Sequence, residues 1–149
     1  MTIALKIAKV ANLGITCIKN SDNPYYNSKY ADLSTVVQAL KQPLNDAGLG
    51  YRFETNYTCD EDGTPKSWTV DLRVVDLDDG YESTVCSFPI PATEPQKIGS
   101  AITYAKRYML TTAFNVIAEE DDDGNATVDK KDIPKRQPQA LAAKPKFFN

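Results

Sequence analysis

The chain has 149 residues, 17 Lys and Arg against 20 Asp and Glu, three cysteines and no histidine. One domain with a real core fits that length, and a hydrophobic fraction of 42% with a mean hydropathy of −0.42 predicts a soluble globular chain. The missing histidine excludes Ser-His and Cys-His nucleophile pairs, histidine-ligated zinc and histidine acid–base chemistry, so carboxylate–metal chemistry is the one enzyme class left to weigh.

No apolar run approaches the roughly 18 residues of a membrane span. The opening Met1-Thr2-Ile3-Ala4-Leu5-Lys6-Ile7-Ala8-Lys9 is broken by lysines too early for a signal peptide. Cys17, Cys59 and Cys86 are odd in number and lack C-x-x-C spacing, which predicts reduced, half-buried thiols and a cytoplasmic location. The acid is bunched in Asp60-Glu61-Asp62, Asp76 to Asp79 and Glu119 to Asp123, while no acid occurs from Gln96 through Ala118. A locally basic surface on an acidic chain is therefore expected, with strongly salt-dependent affinity for a polyanion.

Residues 3 to about 18 read as a first helix, with Ile3, Ile7, Val10 and Ala11 on one face. Residues 20–29 are polar and turn-rich, and Asn23-Pro24 favours an extended or turned backbone. Within this loop, Tyr25, Tyr26 and Tyr30 bracket Lys29. Such a loop can stack bases and neutralise phosphate, or its tyrosines can plug the core beneath it. Asp32 caps a second helix, where Leu33, Val36, Val37, Leu40, Leu44 and Ala47 keep a 3.6-residue period. Pro43 is expected to kink or restart that helix, and Gly48 to close it.

The period then changes to two. Tyr51, Phe53, Thr55 and Tyr57 alternate with Arg52, Glu54 and Asn56, which predicts a strand. After an acidic loop, Trp68, Val70, Leu72 and Val74 alternate with Thr69, Asp71 and Arg73, a second strand. Asp78-Asp79-Gly80 predicts a tight turn with glycine at positive φ. Tyr81 to Phe88 reads as a third strand, ended by Pro89 and Pro91.

Residues 95–110 are expected to form the organising helix. Ile98, Ala101, Ile102, Ala105, Met109 and Ala113 recur at three- and four-residue spacing as an apolar stripe. Lys97, Ser100, Tyr104, Arg107, Tyr108 and Thr111 fall opposite, a surface suited to a strand carrying phosphates on one edge and bases on the other. It could equally be an ordinary solvated face with tyrosines at its margin. Thr93-Glu94-Pro95-Gln96 reads as a capping box, and Asn115 stands where the helix exit favours a left-handed residue. After Ile117 the chain turns acidic, then proline-rich and basic, and poor in apolar residues until Phe147-Phe148. A domain boundary is expected near Asn125, with residues 126–149 a flexible tail.

The acidic run fails as a calcium loop, because the spacing would put Lys130 at the bidentate position. It fails as a two-metal site, because consecutive acids do not converge from separate elements. There is no G-x-x-x-x-G-K-[ST] phosphate loop.

Gly99-Ser100-Ala101-Ile102-Thr103-Tyr104-Ala105-Lys106-Arg107-Tyr108, with the exit Glu120-Asp121-Asp122-Asp123-Gly124-Asn125 and the earlier Asn23-Pro24-Tyr25-Tyr26-Asn27-Ser28-Lys29-Tyr30-Ala31-Asp32-Leu33, resembles the ERF (essential recombination function) family of phage single-strand annealing proteins. The resemblance covers roughly residues 3–125. It implies ATP-independent annealing of complementary strands, oligomeric rings or filaments, and a β-β-β-α core. Asn115 departs from the family's usual glycine, a tolerated change in the left-handed region. The short tail makes a separate C-terminal module doubtful.

The expected fold class is α+β: a three-stranded antiparallel β-meander covered by one long helix, with two N-terminal helices and a disordered C-terminal tail. The expected function is single-stranded DNA binding and annealing within residues 1–125, without catalytic residue, metal or cofactor. Candidate nucleic-acid-binding residues are Lys29, Tyr30, Arg52, Arg73, Lys97, Tyr104, Lys106, Arg107 and Tyr108. Expected partners are single-stranded DNA, further copies of the chain and a host single-strand-binding protein. The alternatives are a metal-dependent nuclease using Asp71 or Asp76 with Lys29, and an adaptor that recruits a host protein through Phe147-Phe148.

Overall fold

The computed structural model describes residues 1–23, 27–91 and 94–119. In chain order they form α1 (Ile3–Ala11), β1 (Thr16–Ile18), β2 (Ser21–Asn23), β3 (Ser28–Tyr30), α2 (Leu33–Asp46), β4 (Leu49–Cys59), β5 (Pro65–Asp76), β6 (Glu82–Ile90), α3 (Pro95–Ala113) and β7 (Ile117–Glu119).

The expected arrangement is overturned. Among the described residues three separate sheets form: antiparallel β4-β5-β6, antiparallel β2-β3, and the parallel pair β1-β7. The first helix stops at Ala11, because Gly14 turns the chain at φ +66° and Thr16 to Ile18 pair with Ile117 to Glu119. Residues read as an open loop instead form the β2-β3 hairpin, with Ser21 opposite Tyr30 and Asn23 opposite Ser28. Nor does one helix cover the large sheet. Both α2 and α3 pack on it and against each other, and α2 also reaches β1. The expected boundary at Asn125 and the tail lie outside the described residues.

Alternation explains how β5 divides the molecule into two sides. Val70, Leu72, Val74 and Asp76 are buried, and their cross-strand partners Thr55, Phe53, Tyr51 and Leu49 share that helix-facing side. Arg52, Glu54, Asn56, Asp71 and Arg73 point the other way. The core between sheet and helices holds Val36, Leu40, Leu72, Val74, Leu110 and Phe114, all essentially inaccessible to solvent. Strand β6 runs through Pro89 to Ile90. That proline is tolerated because β6 is an edge strand, where a missing N–H need not break a ladder.

Helix α2 also runs past its proline, three residues beyond Pro43. Buried Val36, Leu40 and Leu44 hold the segment helical despite the lost bond. Gly48 ends this region at φ +64° and Gly80 sits in the β5-β6 turn at φ +76°, as their places in the sequence require. Asn115 takes φ +49° after α3. At the other end of α3 the N-cap is Glu94, with no side-chain bond and Pro95 inside the first turn. The expected Thr93 cap therefore does not define the helix start, and Thr93 itself lies outside the described residues.

One ion pair is taken inside. Lys6 of α1 and Asp76 of β5 are 8% and 3% exposed, and Lys6 Nζ donates to Asp76 Oδ1 at 2.6 Å and to Asp78 Oδ2 at 2.5 Å. The lysine holds the Asp76 carboxyl below its ordinary range, helped by the Asp78 backbone N–H. Asp76 and Asp78 in turn raise Lys6. The pair staples α1 to the turn after β5. Of the thiols, Cys17 is buried, Cys86 half-buried and Cys59 exposed, so the expectation of three half-buried thiols holds for Cys86 alone.

Candidate nucleic-acid interface

The two sequence motifs, far apart in the chain, meet. Asp32 makes the junction by capping α2, accepting from Thr35 N–H at 2.8 Å. The same carboxylate accepts from Asn20 Nδ2 at 3.0 Å, while Asn20 Oδ1 accepts from Asp32 N–H at 3.0 Å. Thr35 foremost, and then the Asn20 amide, hold the Asp32 carboxyl low. The two Asn20–Asp32 bonds also fix the base of the β2-β3 hairpin, where Asn20 N–H donates to the Tyr30 carbonyl at 3.1 Å. Tyr30 is thus carried to α3 by backbone and cap together.

There Arg107 Cζ lies over the Tyr30 ring at 4.5 Å, the Tyr108 ring at 4.7 Å and the Tyr104 ring at 5.5 Å. Helix spacing puts Tyr104 and Tyr108 on one face, and their centroids are 4.3 Å apart with a 39° tilt. Phe88 of β6 meets Tyr104 edge-on at 6.2 Å. The neighbouring Tyr108 hydroxyl pushes the Tyr104 phenol up, with burial adding to it and Arg107 opposing. Tyr104 and Tyr108 remain 49% and 41% exposed, so both keep ring surface for a ligand. Among the described residues no carboxylate pairs with Arg107 and no acceptor takes its N–H groups.

The other candidates lie elsewhere. Lys106 sits over Phe53 at 5.2 Å, at the seam between α3 and the helix-facing side of the sheet. Lys97 is in the first turn, paired with Glu94 at 3.0 Å. Lys29 stands opposite Asp22 in the hairpin, and strand alternation turns it away from Tyr30.

Arg52 and Arg73 face each other on the outer side of the sheet. Arg52 is held by Glu82 through Nε at 3.0 Å and Nη2 at 2.8 Å, and Arg73 is paired with Glu54. Arg52 depresses the Glu82 carboxyl in the process. Their charges are therefore neutralised by neighbours on a different surface from Arg107. Ser100 and Thr111 bond back to their own helix, donating to the carbonyls of Gln96 at 3.2 Å and Arg107 at 3.1 Å.

Sequence reasoning missed Phe88 as a support for Tyr104. Its inward place in the strand was visible, but its partner depends on how α3 crosses β6. A second aromatic pair was also missed: Tyr57 and Trp68, at 5.0 Å on the helix-facing side of the sheet, with Tyr57 58% exposed. Their alternation was legible and their cross-strand register was not.

Asp71 and Asp76, the carboxylates weighed for a metal centre, do not share a site. Asp71 and Asp76 project from opposite sides of β5. Asp71 accepts from Asn56 Nδ2 at 2.8 Å, and Asp76 is engaged by Lys6. No group of metal-ligating side chains converges among the described residues, and no described helix is long and apolar enough to cross a membrane.

No curated protein and no solved structure matches the chain. The family model of the ERF superfamily, however, matches residues 3–145, a span that includes the hairpin motif, the α3 motif and the acidic exit. With both motifs meeting at one aromatic–basic cluster inside that span, this chain belongs to the ERF superfamily.

Proposed function

We propose that the protein binds single-stranded DNA across the α3–hairpin surface and anneals complementary strands without ATP, in phage homologous recombination within the host cytoplasm. The observation that carries this reading is the Arg107 guanidinium, surrounded by Tyr30, Tyr104 and Tyr108 and unpaired with any described carboxylate. Guanidinium edges recognise phosphate, and exposed tyrosine faces stack bases without sequence preference. Annealing requires no bond to be made. It requires a backbone held by cations with its bases left open to a second strand.

A groove longer than one small domain needs several copies. The outer edges of β4 and β6 are unpaired within the large sheet, and such edges accept a neighbouring strand. We therefore expect a homo-oligomer, checked by light scattering with and without a single-stranded oligonucleotide; monomer alone at micromolar concentration contradicts it.

The function is tested by mixing two labelled complementary oligonucleotides with the protein, without ATP and with chelator present. Faster annealing supports the reading. Annealing that stops in chelator, or strands that shorten, favours the nuclease instead. Deleting residues after Asn125 should leave annealing intact if the tail serves only a host partner; lost annealing would place the tail in the machinery itself.

A further inference from the structure

The nearest ring to Arg107 is not on its own helix. Tyr30 comes from β3, is half-buried, and lies 4.5 Å from the guanidinium carbon. All three rings meet Arg107, but Tyr104 and Tyr108 stay exposed enough to receive a base, whereas Tyr30 lies nearest the guanidinium and has its backbone pinned through Asn20 to Asp32. An arginine side chain has several rotatable bonds, and left alone on a helix it samples many rotamers. Cation–π contact engages the flat face of the guanidinium and leaves the N–H edge open.

We infer that Tyr30 is a positioning residue: it acts through Arg107, holding the guanidinium face so that its N–H edge is presented to a strand phosphate, and does not itself stack a base. This inference rests on the single-strand reading above. It gives the hairpin motif a task distinct from that of Tyr104 and Tyr108. It also accounts for the Asp32–Asn20 network, which would otherwise be an elaborate way to begin a helix. Disturbing the hairpin should thus register as a weakened phosphate contact on α3.

The experiment measures single-strand affinity against salt for wild type, Tyr30→Phe, Tyr30→Leu, Arg107→Ala and the double variant Tyr30→Leu/Arg107→Ala, on protein whose folding is checked by melting. Tyr30→Leu keeps apolar bulk under the helix while removing the π face, which guards against simple unfolding. Losing one phosphate contact lowers the log–log salt slope by about 0.7 on single strands. Losing a charged hydrogen bond costs roughly ten- to a hundredfold in affinity.

The expected result is that Tyr30→Leu loses affinity and slope as Arg107→Ala does. The double variant should be no weaker than Arg107→Ala alone, and Tyr30→Phe should bind as wild type. Lost affinity with an unchanged slope, additive with Arg107→Ala, would overturn the inference and make Tyr30 a base-stacking residue. Unchanged binding by Tyr30→Leu would overturn it too. Failure of the underlying reading looks different: wild type itself would not bind, or Arg107→Ala would bind normally.

Discussion

Two surfaces of this molecule carry arginines, and they use them differently. On the outer side of the sheet, Arg52 and Arg73 stand directly opposite one another, a repulsive pairing that Glu54 and Glu82 neutralise through Arg73–Glu54 and Arg52–Glu82 ion pairs. On α3, Arg107 is met by three tyrosine rings and by no described carboxylate. A carboxylate satisfies a guanidinium along the N–H edge that a phosphate would use, whereas an aromatic ring engages the face and leaves that edge open. Counting cations in a sequence therefore says little about where a polyanion binds. What the cation already touches decides it.

The largest expected effect tests whether either surface matters to stability. Leu110 is on the buried side of α3 and fully inaccessible, so Leu110→Ala should cost about 2–5 kcal/mol of unfolding free energy, read by denaturant titration. Ile102, which the apolar stripe singles out, is only partly buried and should cost less on the same change. Equal losses would mean that the first half of α3 is more deeply covered than its burial indicates.

Asp76 is the exception on the helix-facing side, a carboxylate among apolar residues. Lys6 and the Asp78 N–H hold its pKa below the ordinary carboxylate value, so its contribution to stability is present above that value and fades as pH falls through the depressed one. Lys6 is raised, so its share is fully present below the ordinary lysine value and fades as pH rises through the raised one. Asp76→Asn should therefore lower the melting temperature at neutral pH and flatten the acid limb of a melting-versus-pH curve. An unchanged acid limb would show that other carboxylates control acid unfolding.

The next effects are on binding. Tyr104→Ala should cost about 1–3 kcal/mol of single-strand affinity with little change in salt slope. Arg107→Ala should lower the log–log slope by about 0.7, with only a small shift in melting. If Arg107→Ala melts lower yet binds normally once folded, the cluster is structural and the contrast between the two surfaces collapses. The smallest effect belongs to the outer side. Arg52→Ala and Arg73→Ala should leave the salt slope unchanged and melting nearly so, because exposed ion pairs contribute little. A reduced slope for either would put a phosphate on the outer side.

How far the fold could be read from the chain follows from element length. The 3.6-residue period of Leu33 to Leu44 and the alternations around Phe53 and Leu72 run long enough to declare themselves, and α2, β4 and β5 lie there. Strands of three residues, such as β1, β2, β3 and β7, are too short to show a period. That is why Thr16 to Ile18 read as the end of a helix and Ser28 to Tyr30 as a loop. Leu110 escaped the apolar stripe because α3 packs on two neighbours, the sheet and α2, and buries a wider arc than a one-sided helix would.

The candidate site was half legible. Tyr104, Arg107 and Tyr108 follow from helix spacing, and Tyr30 from an aromatic–basic motif. That Tyr30 and Arg107 touch depends on the hairpin, which depends on pairing between Ser21 and Tyr30, and no local pattern announces such pairing. The same gap let Arg52 and Arg73 stand as candidates: alternation places them on one side of a strand, but only the helices' choice of the other side separates them from Arg107.

The pairing of β1 with β7 has a consequence for how the chain comes to be made. Thr16 leaves the ribosome early, yet its partner Ile117 follows only after both large helices and all three long strands. Until then the half-formed domain carries an unsatisfied strand edge, and closing so long a loop is slow. Synthesis stalled before residue 117 should leave a collapsed but open particle, prone to borrow a β7 from a neighbouring chain. A newly made molecule would thus meet other copies of itself before its own β1 and β7 have met.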